Sequence, residues 1–288
     1  MRVAYGWDNY ELLDVSDGER LERWGDYTIV RPDPQVIIKT PKINPLWGNA
    51  DAYYYRSSLG GGHWEYRRRF KDNVTVSWCN SIYLQVVLTA FKHTGVFPEQ
   101  AVNWQLYIDS ITKANRPIEV LNLFGYTGGA SVACLKAGAG VTHVDASKGM
   151  INQAKINCEI SGVRDKPIRF ITEDCVKFLQ REIRRNKKYD AIIMDPPSFG
   201  RGPNGERWKF EEDIYSLTLL CKEVLSDDLL FFVINSYTTS LGPGAMKLML
   251  SSVLKEYEEK VIGEEIGIPI SNTNLVIPAG STTYYAAN

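Results

Sequence analysis

From Pro117 onward the chain alternates apolar runs of strand length with segments of helix length, and that alternation restricts its fold more than any other feature. Residues 118–124, 141–145, 168–172, 189–195 and 229–235 read as strands. Residues 128–137, 148–160, 175–186, 211–225 and 243–259 read as helices. Strands joined through helices of this length form right-handed βαβ crossovers, which build a mostly parallel sheet covered on both faces. The last two strand-like runs, 266–270 and 275–286, follow each other through Ser271-Asn-Thr-Asn274 with no helix between them. That end is expected to be antiparallel.

Before Pro117 the texture is different. Residues 27–30, 36–38, 64–70, 74–78 and 83–91 read as short strands between turn residues, Gly60-Gly61-Gly62 among them. A helix over 98–112 then leads into the α/β part. The expectation is a β-rich accessory region over 1–95 and an α/β domain over 96–288, an ordinary division for 288 residues.

Composition narrows the function classes. The longest apolar run, 229–234, is far shorter than the ~20 residues a bilayer-spanning helix needs. Asp8, Glu11, Asp14, Asp17, Glu19 and Glu22 crowd the start, where a secretory signal would be basic and then apolar. Five cysteines without a C-x-x-C pair, and only three histidines, argue for reduced thiols in a cytoplasm and against a metal site. A net charge of −1 excludes gripping nucleic acid by bulk charge. Charge is nevertheless uneven: residues 1–38 carry four Lys/Arg against eight Asp/Glu, residues 39–72 seven against three.

Four features of the α/β part carry chemistry. Asn122-Leu-Phe-Gly-Tyr-Thr-Gly-Gly-Ala130 is a glycine turn between strand and helix, where a ligand can meet backbone N–H groups. Gly125, Gly128 and Gly129 do not fit the G-x-G-x-x-G spacing of a dinucleotide fold. Asp145 ends the second strand and can accept two hydrogen bonds from a ribose diol; as an N-cap it is replaceable by Ser147. Glu173-Asp174-Cys175 offers a carboxylate to an adenine amino group, or an acidic N-cap to the helix that follows. Asp195-Pro-Pro-Ser-Phe199 removes two N–H donors and holds an extended backbone at the carboxyl edge of the sheet. Carbonyls and the Asp195 carboxylate then face the crevice, with Phe199 as a stacking surface, an array suited to a planar group such as a flipped base.

In this order the motifs resemble the class I S-adenosylmethionine-dependent methyltransferases, and among them the branch that methylates large-subunit ribosomal RNA at cytosine C5 or guanine N7. The resemblance is carried by Phe-Gly-Tyr-Thr-Gly-Gly (124–129), His-Val-Asp-Ala-Ser-Lys (143–148), the run from Asp195 to Lys209 and His93-Thr-Gly-Val-Phe-Pro-Glu-Gln-Ala-Val-Asn-Trp104. It implies a Rossmann-like seven-stranded sheet and S-adenosylmethionine as cofactor. It implies further that Phe124, Gly125, Tyr126, Thr127 and Gly128 line the methionine end, that Asp145 holds the ribose beside Ala146 and Ser147, and that Asp174 and Cys175 meet the adenine. Gln100 would close over the cofactor and Trp104 over the substrate. Asp195, Pro196, Pro197, Ser198 and Phe199 would hold the methyl acceptor, with Arg201, Arg207, Trp208 and Lys209 on a flap.

One position departs from that branch. A C5 enzyme adds a cysteine thiolate to the ring, and the branch carries that cysteine after the fifth strand. This chain reads Val233-Ile-Asn-Ser-Tyr-Thr-Thr239 there, so transfer to nitrogen or oxygen is the expectation. For the acceptor, the basic and aromatic run Trp64-Glu-Tyr-Arg-Arg-Arg-Phe-Lys71 and the flap speak for RNA or a ribosomal particle. A small-molecule methyltransferase with the N-terminal region as a lid, a nicotinamide-dependent dehydrogenase and a non-catalytic cofactor-binding module remain as alternatives.

Overall fold

The computed structural model describes residues 1–57, 61–89, 92–201, 205, 207–238 and 240–287. Gly60 of the expected glycine turn, residues 90–91 of an expected strand, residues 202–204 and 206 of the flap and Thr239 lie outside the described residues. The chain divides into two compact units: residues 2–102 with 267–279, and residues 103–266 with 280–288 and residue 1.

The first unit is built of β1 (Arg2–Val3), β2 (Tyr10–Ser16), β3 (Glu19–Trp24), β4 (Tyr27–Pro32), a single helical turn α1 (Leu46–Asn49), β5 (Ala52–Arg56), β6 (Gly62–Tyr66), β7 (Thr75–Trp78) and β8 (Ile82–Gln85). Strands β2 to β6 form one sheet in chain order, antiparallel except for the parallel pair β4–β5, and β7–β8 form a separate antiparallel ribbon. Residues 267–279 belong here: Ala4 N–H donates to the Gly267 carbonyl (2.9 Å) and Ser271 N–H to that of Leu12 (2.9 Å).

The β-rich texture is as expected, but its details differ. Strands β2, β3 and β5 were not expected from the sequence. Glu22, which hides β3, is fully buried, and Arg31, at which the expected strand 27–30 stops short of the end of β4, is nearly so. Residues 36–38, expected as a strand, lie outside any ladder, and Ile37 is exposed. The strand expected over 64–70 ends at Tyr66.

The second unit carries α2 (Ala101–Ala114) from Asn103 on, then β9 (Glu119–Leu123), α3 (Gly129–Lys136), β10 (Gly140–Asp145), α4 (Lys148–Ile160), β11 (Ile168–Thr172), α5 (Cys175–Arg184), β12 (Ala191–Met194), the short ribbon β13 (Phe199–Arg201) and β14 (Arg207–Lys209), α6 (Phe210–Lys222), β15 (Phe231–Ser236), α7 (Pro243–Val253), β16 (Ile262–Pro269) and β17 (Val276–Ala286). Its sheet runs β16-β17-β15-β12-β9-β10-β11. The pairs from β15 to β11 are parallel, and β17 lies antiparallel on β15, with Asn235 opposite Thr282. This is the α/β sheet with an antiparallel end that the alternation predicts.

Apolar side chains of the parallel strands, Leu121, Ile192 and Phe232 among them, pack against Phe178 of α5 and Leu217 of α6. No described helix is long and apolar enough to cross a membrane. Among the described residues no group of three His, Cys, Asp or Glu side chains could hold a metal ion.

Candidate functional site

The chain leaves β9 for β10 and β11 on one side, then returns to place β12 on the other side of β9. Such a reversal opens a crevice at the carboxyl ends of the strands, where α/β sheets bind ligands. Three of the four sequence motifs end there: the glycine turn after β9, Asp145 at the end of β10 and the Asp-Pro-Pro loop after β12. Glu173 and Asp174 follow β11 at the same edge.

The turn after β9 is strained and held from several sides. Phe124 and Tyr126 both adopt left-handed backbone (φ 53° and 51°), a conformation side chains other than glycine rarely take and which costs about 1–3 kcal/mol each. The Asp145 carboxylate accepts hydrogen bonds from Tyr126 N–H (2.9 Å) and Ser147 N–H (2.8 Å). Burial pushes the Asp145 carboxyl above its ordinary value, while the two amides pull it back. Each carboxylate oxygen keeps further lone-pair capacity for a ligand hydroxyl. Asn157 donates to the Thr127 carbonyl (2.8 Å).

Sequence reasoning missed what lies under this turn. A Cβ at position 125 would come within 2.4 Å of the His143 ring, and one at Gly128 (φ 87°) within 2.9 Å of Ala154. The space these glycines leave is therefore taken by β10 and α4, not only by a ligand. His143 Nδ1 meets Ser131 Oγ at 2.9 Å, and Asn122 Nδ2 donates to the same Ser131 Oγ (2.9 Å). All three are buried, and burial lowers the imidazole to about 4, so it is neutral at physiological pH. The available signal was that His143 precedes Asp145 by two residues, which puts both side chains on one face of a strand.

The loop after β12 folds back as a ribbon, with Phe199 opposite Lys209 and Arg201 opposite Arg207. The ribbon returns Trp208 to the glycine turn, its ring 5.2 Å from that of Phe124. The Trp208 indole N–H donates to the Pro197 carbonyl (2.6 Å), so that carbonyl already has a donor within the loop. Thr238, beyond β15, donates its hydroxyl to Ser198 Oγ (2.9 Å), and Phe210 N–H donates to the Ser198 carbonyl (3.0 Å). Pro196 is buried, Asp195 half-buried and Phe199 55% exposed, open enough to stack on a planar group.

The remaining predicted residues scatter. Ser147 caps α4 by accepting from Met150 N–H, which leaves Asp145 free of that duty; Ala146 beside it is exposed. Asp174 caps α5 by accepting from Lys177 N–H (3.0 Å), and Glu173 pairs with Arg181 (2.6 Å). Cys175 is buried, its thiol hydrogen-bonded to the Phe124 backbone and pushed far above its ordinary pKa by burial. On the flap, Lys209 and Arg207 both lie near Glu212 (2.7 and 3.7 Å), which halves the basic character the sequence suggested. Trp104 is buried in α2. Gln100, also buried, belongs to the N-terminal unit.

Asn235 and Ser236, expected after the fifth strand, are the last two residues of β15, and they sit in a neutral network. Asn235 Oδ1 accepts from Asn103 Nδ2 (2.9 Å) and from Thr282 Oγ1 (2.9 Å), all three side chains being buried. Cys134, Cys158 and Cys221, expected as core or helix-surface thiols, are fully buried, and burial raises each thiol's pKa.

Residues 74–225 match the family model described as S-adenosylmethionine-dependent methyltransferase. The crystal structure of an SAM-dependent methyltransferase from Agrobacterium tumefaciens is 34% identical, superposes with a TM-score of 0.92, and is matched over 100% of this chain and 93% of that one. A methyltransferase structure complexed with SAH, 19% identical, superposes with a TM-score of 0.75 over 97% of this chain and 76% of that chain, and at that identity speaks for the fold alone. Among curated proteins, ribosomal RNA large subunit methyltransferase K/L of Pseudoalteromonas atlantica is 28% identical over 72% of this chain and 31% of its own length. Ribosomal RNA large subunit methyltransferase I of Aeromonas salmonicida is 35% identical over 42% of this chain and 30% of its own. The chain thus spans about a third of the length of these curated relatives.

Proposed function

Since the chain belongs to the S-adenosylmethionine-dependent methyltransferase family, we propose that it methylates a base in ribosomal or other RNA, at a nitrogen and not at cytosine C5. The observation that carries the choice of nitrogen is the network at the end of β15. Where a C5 enzyme needs a thiolate, Asn235 is locked between Asn103 and Thr282, and Ser236 is buried. The choice of RNA is supported by what the curated relatives are named for.

The crevice residues fit the cofactor. The strained turn brings backbone to the edge, and Asp145 is an anchored carboxylate with acceptor capacity to spare for a ribose diol. In this reading the 124–128 turn holds the methionine end, Asp174 and Cys175 flank the adenine, and residues 1–95 serve the substrate. When bound, the cofactor supplies a methyl group already activated by its sulfonium. The protein's part is then chiefly positioning and a matched electrostatic environment. Asp195 accepts a hydrogen bond from the acceptor nitrogen's N–H and holds that proton as the new N–C bond forms. Phe199 stacks on the base, and Trp208 closes beside Phe124.

The test is transfer of labelled methyl from S-adenosylmethionine into ribosomal subunits, free RNA and a small-metabolite pool, all from cells lacking this protein. Label in an RNA base nitrogen, lost in Asp195→Ala, is the expected result. Label at C5 of cytosine overturns the nitrogen assignment. Label confined to small molecules overturns the RNA reading and favours a lid-and-pocket enzyme.

A further inference from the structure

We propose that the face of β5 and β6 bearing Tyr55 and His63 is a stacking surface for unpaired RNA bases, with neighbouring arginines taking the phosphates. The inference rests on the RNA reading above and gives it a location in the N-terminal unit.

In the β5–β6 register Tyr55 faces His63 and Tyr53 faces Glu65, so these side chains share one side of the pleated pair. Tyr53 is buried beside Trp47 and Ala50, its hydroxyl donating to the Trp47 carbonyl (2.7 Å). The Arg67 guanidinium lies over its ring, 4.6 Å from the centroid. The Tyr55 ring follows, 6.4 Å from Tyr53 and 16° from parallel, and the His63 ring comes next at 5.9 Å. Four planar groups thus form one row, Arg67–Tyr53–Tyr55–His63. The α1 turn covers the Tyr53 end, whereas Tyr55 is 44% exposed and His63 is exposed.

This exposure is not a by-product of core formation. The opposite side of the same strands supplies the interior aromatics, Tyr54 and half-buried Trp64 in an edge-to-face pair at 5.3 Å. Strand β6 is also the last strand of its sheet.

Charge selects the partner. Residues 39–72 carry seven Lys/Arg against three Asp/Glu in a chain of net charge −1. Arg56, Arg67, Arg68, Arg69 and Lys71 are all exposed. Arg56 alternates with Tyr55 onto the opposite side of β5, and Arg68 is shared with Asp51 (3.6 Å) and the Tyr27 ring, but Arg69 and Lys71 have no ion-pair partner among the described residues. Glu65 is the single acid on the row's side of β6. Flat exposed rings accept the faces of bases only where the nucleic acid is unstacked, and arginines beside them suit its backbone. A duplex would conceal those faces.

The experiment measures anisotropy of a fluorescein-labelled 12-nucleotide RNA of mixed, unstructured sequence on the full chain. Tyr55→Ala with His63→Ala should weaken binding about 10-fold or more, whereas Tyr55→Phe with His63→Phe should restore it. Arg69→Gln with Lys71→Gln should lower the log–log salt slope by about 1.4, at ~0.7 per phosphate on a single strand. Unchanged affinity in the alanine pair overturns the surface, as does equal or tighter binding of a 12-base-pair duplex. Methyl transfer into ribosomal subunits, measured on the same variants, separates the two proposals. Transfer into RNA with unchanged oligonucleotide binding in the alanine pair removes the surface and keeps the RNA reading. Absence of both RNA methylation and RNA binding removes both.

Discussion

The two units each bury polar side chains, and they do so in opposite ways. In the second unit the chain Asn122–Ser131–His143 is neutral, and it lies under a backbone turn. In the N-terminal unit the buried cluster is ionic. Glu22, fully buried, accepts from Tyr10 (2.9 Å), from Arg31 (2.5 and 2.9 Å) and from Arg20 (3.5 Å), and Arg20 pairs with Asp33. A neutral chain fixes geometry with modest desolvation, which suits a strained turn that must stay in place for a ligand. An ionic cluster ties three strands together but is stable only while every charge keeps its partner.

The sharpest way to break this contrast is to remove the charge at the centre of the ionic cluster. Glu22→Gln leaves two buried arginines undercompensated and should cost about 3–5 kcal/mol in urea unfolding. A loss under ~1 kcal/mol would mean the cluster behaves as a surface ion pair does. At the carboxyl edge of the second unit the role proposed for charge is chemical instead. Asp195→Ala should keep SAH affinity and lose methyl transfer about 100-fold or more. Full turnover would take Asp195 out of the site. Asp145→Ala should weaken S-adenosylmethionine binding by about 1.5–3 kcal/mol in calorimetry, the worth of charge-assisted hydrogen bonds. Unchanged affinity in a folded variant would separate Asp145 from the ribose.

The smallest effect concerns acid. Burial raises the Glu99 carboxyl to about 6, with Arg20 opposing. Its folded value exceeds its unfolded one, so its contribution is fully present below about pH 4.5 and is lost as pH rises through 6. Glu99→Gln, which mimics the protonated form, should therefore gain about 2 kcal/mol at pH 7 and nothing at pH 4. His143 has the opposite sign. With its folded value lowered to about 4, its contribution is present above pH 6.5 and is lost as pH falls toward 4. His143→Gln should flatten that loss in unfolding curves taken between pH 4 and 7, and an unchanged curve would assign the acid sensitivity elsewhere.

The same contrast decides what could be read from the sequence. Where interior positions are apolar, the pattern is legible: the expected strand 168–172 and helix 148–160 match β11 and α4 to the residue. Where interior positions are charged, the two-residue period is broken. Glu22 looks like a solvent-facing residue, and the β2–β3 hairpin disappears behind it, while Arg31 cuts the expected strand short of the end of β4. Residues 36–38 show the converse, an apolar triplet with strand propensity whose Val36 and Ile38 carbonyls accept from Gly18 and Asp17 of the β2–β3 turn without entering a ladder. The crevice motifs were legible because turns, carboxylates and prolines act locally. The His143 prop, the Trp208–Phe124 contact and the Asn103–Asn235–Thr282 network were not. Each depends on side chains far apart in sequence meeting in space.

Residues 267–279 complete the N-terminal unit, although the rest of that unit ends at Val102. Ala4 and Leu12 thus find their partners Gly267 and Ser271 only after residues 103–266 have been translated. At ~5–20 residues per second, that interval is on the order of ten seconds or more. During it the intervening unit can complete its parallel sheet from β9 to β15, while the nascent N-terminal sheet waits for its last segment. The N-terminal unit, begun first, is therefore closed only by residues 267–279, immediately before residues 280–288 close the second unit.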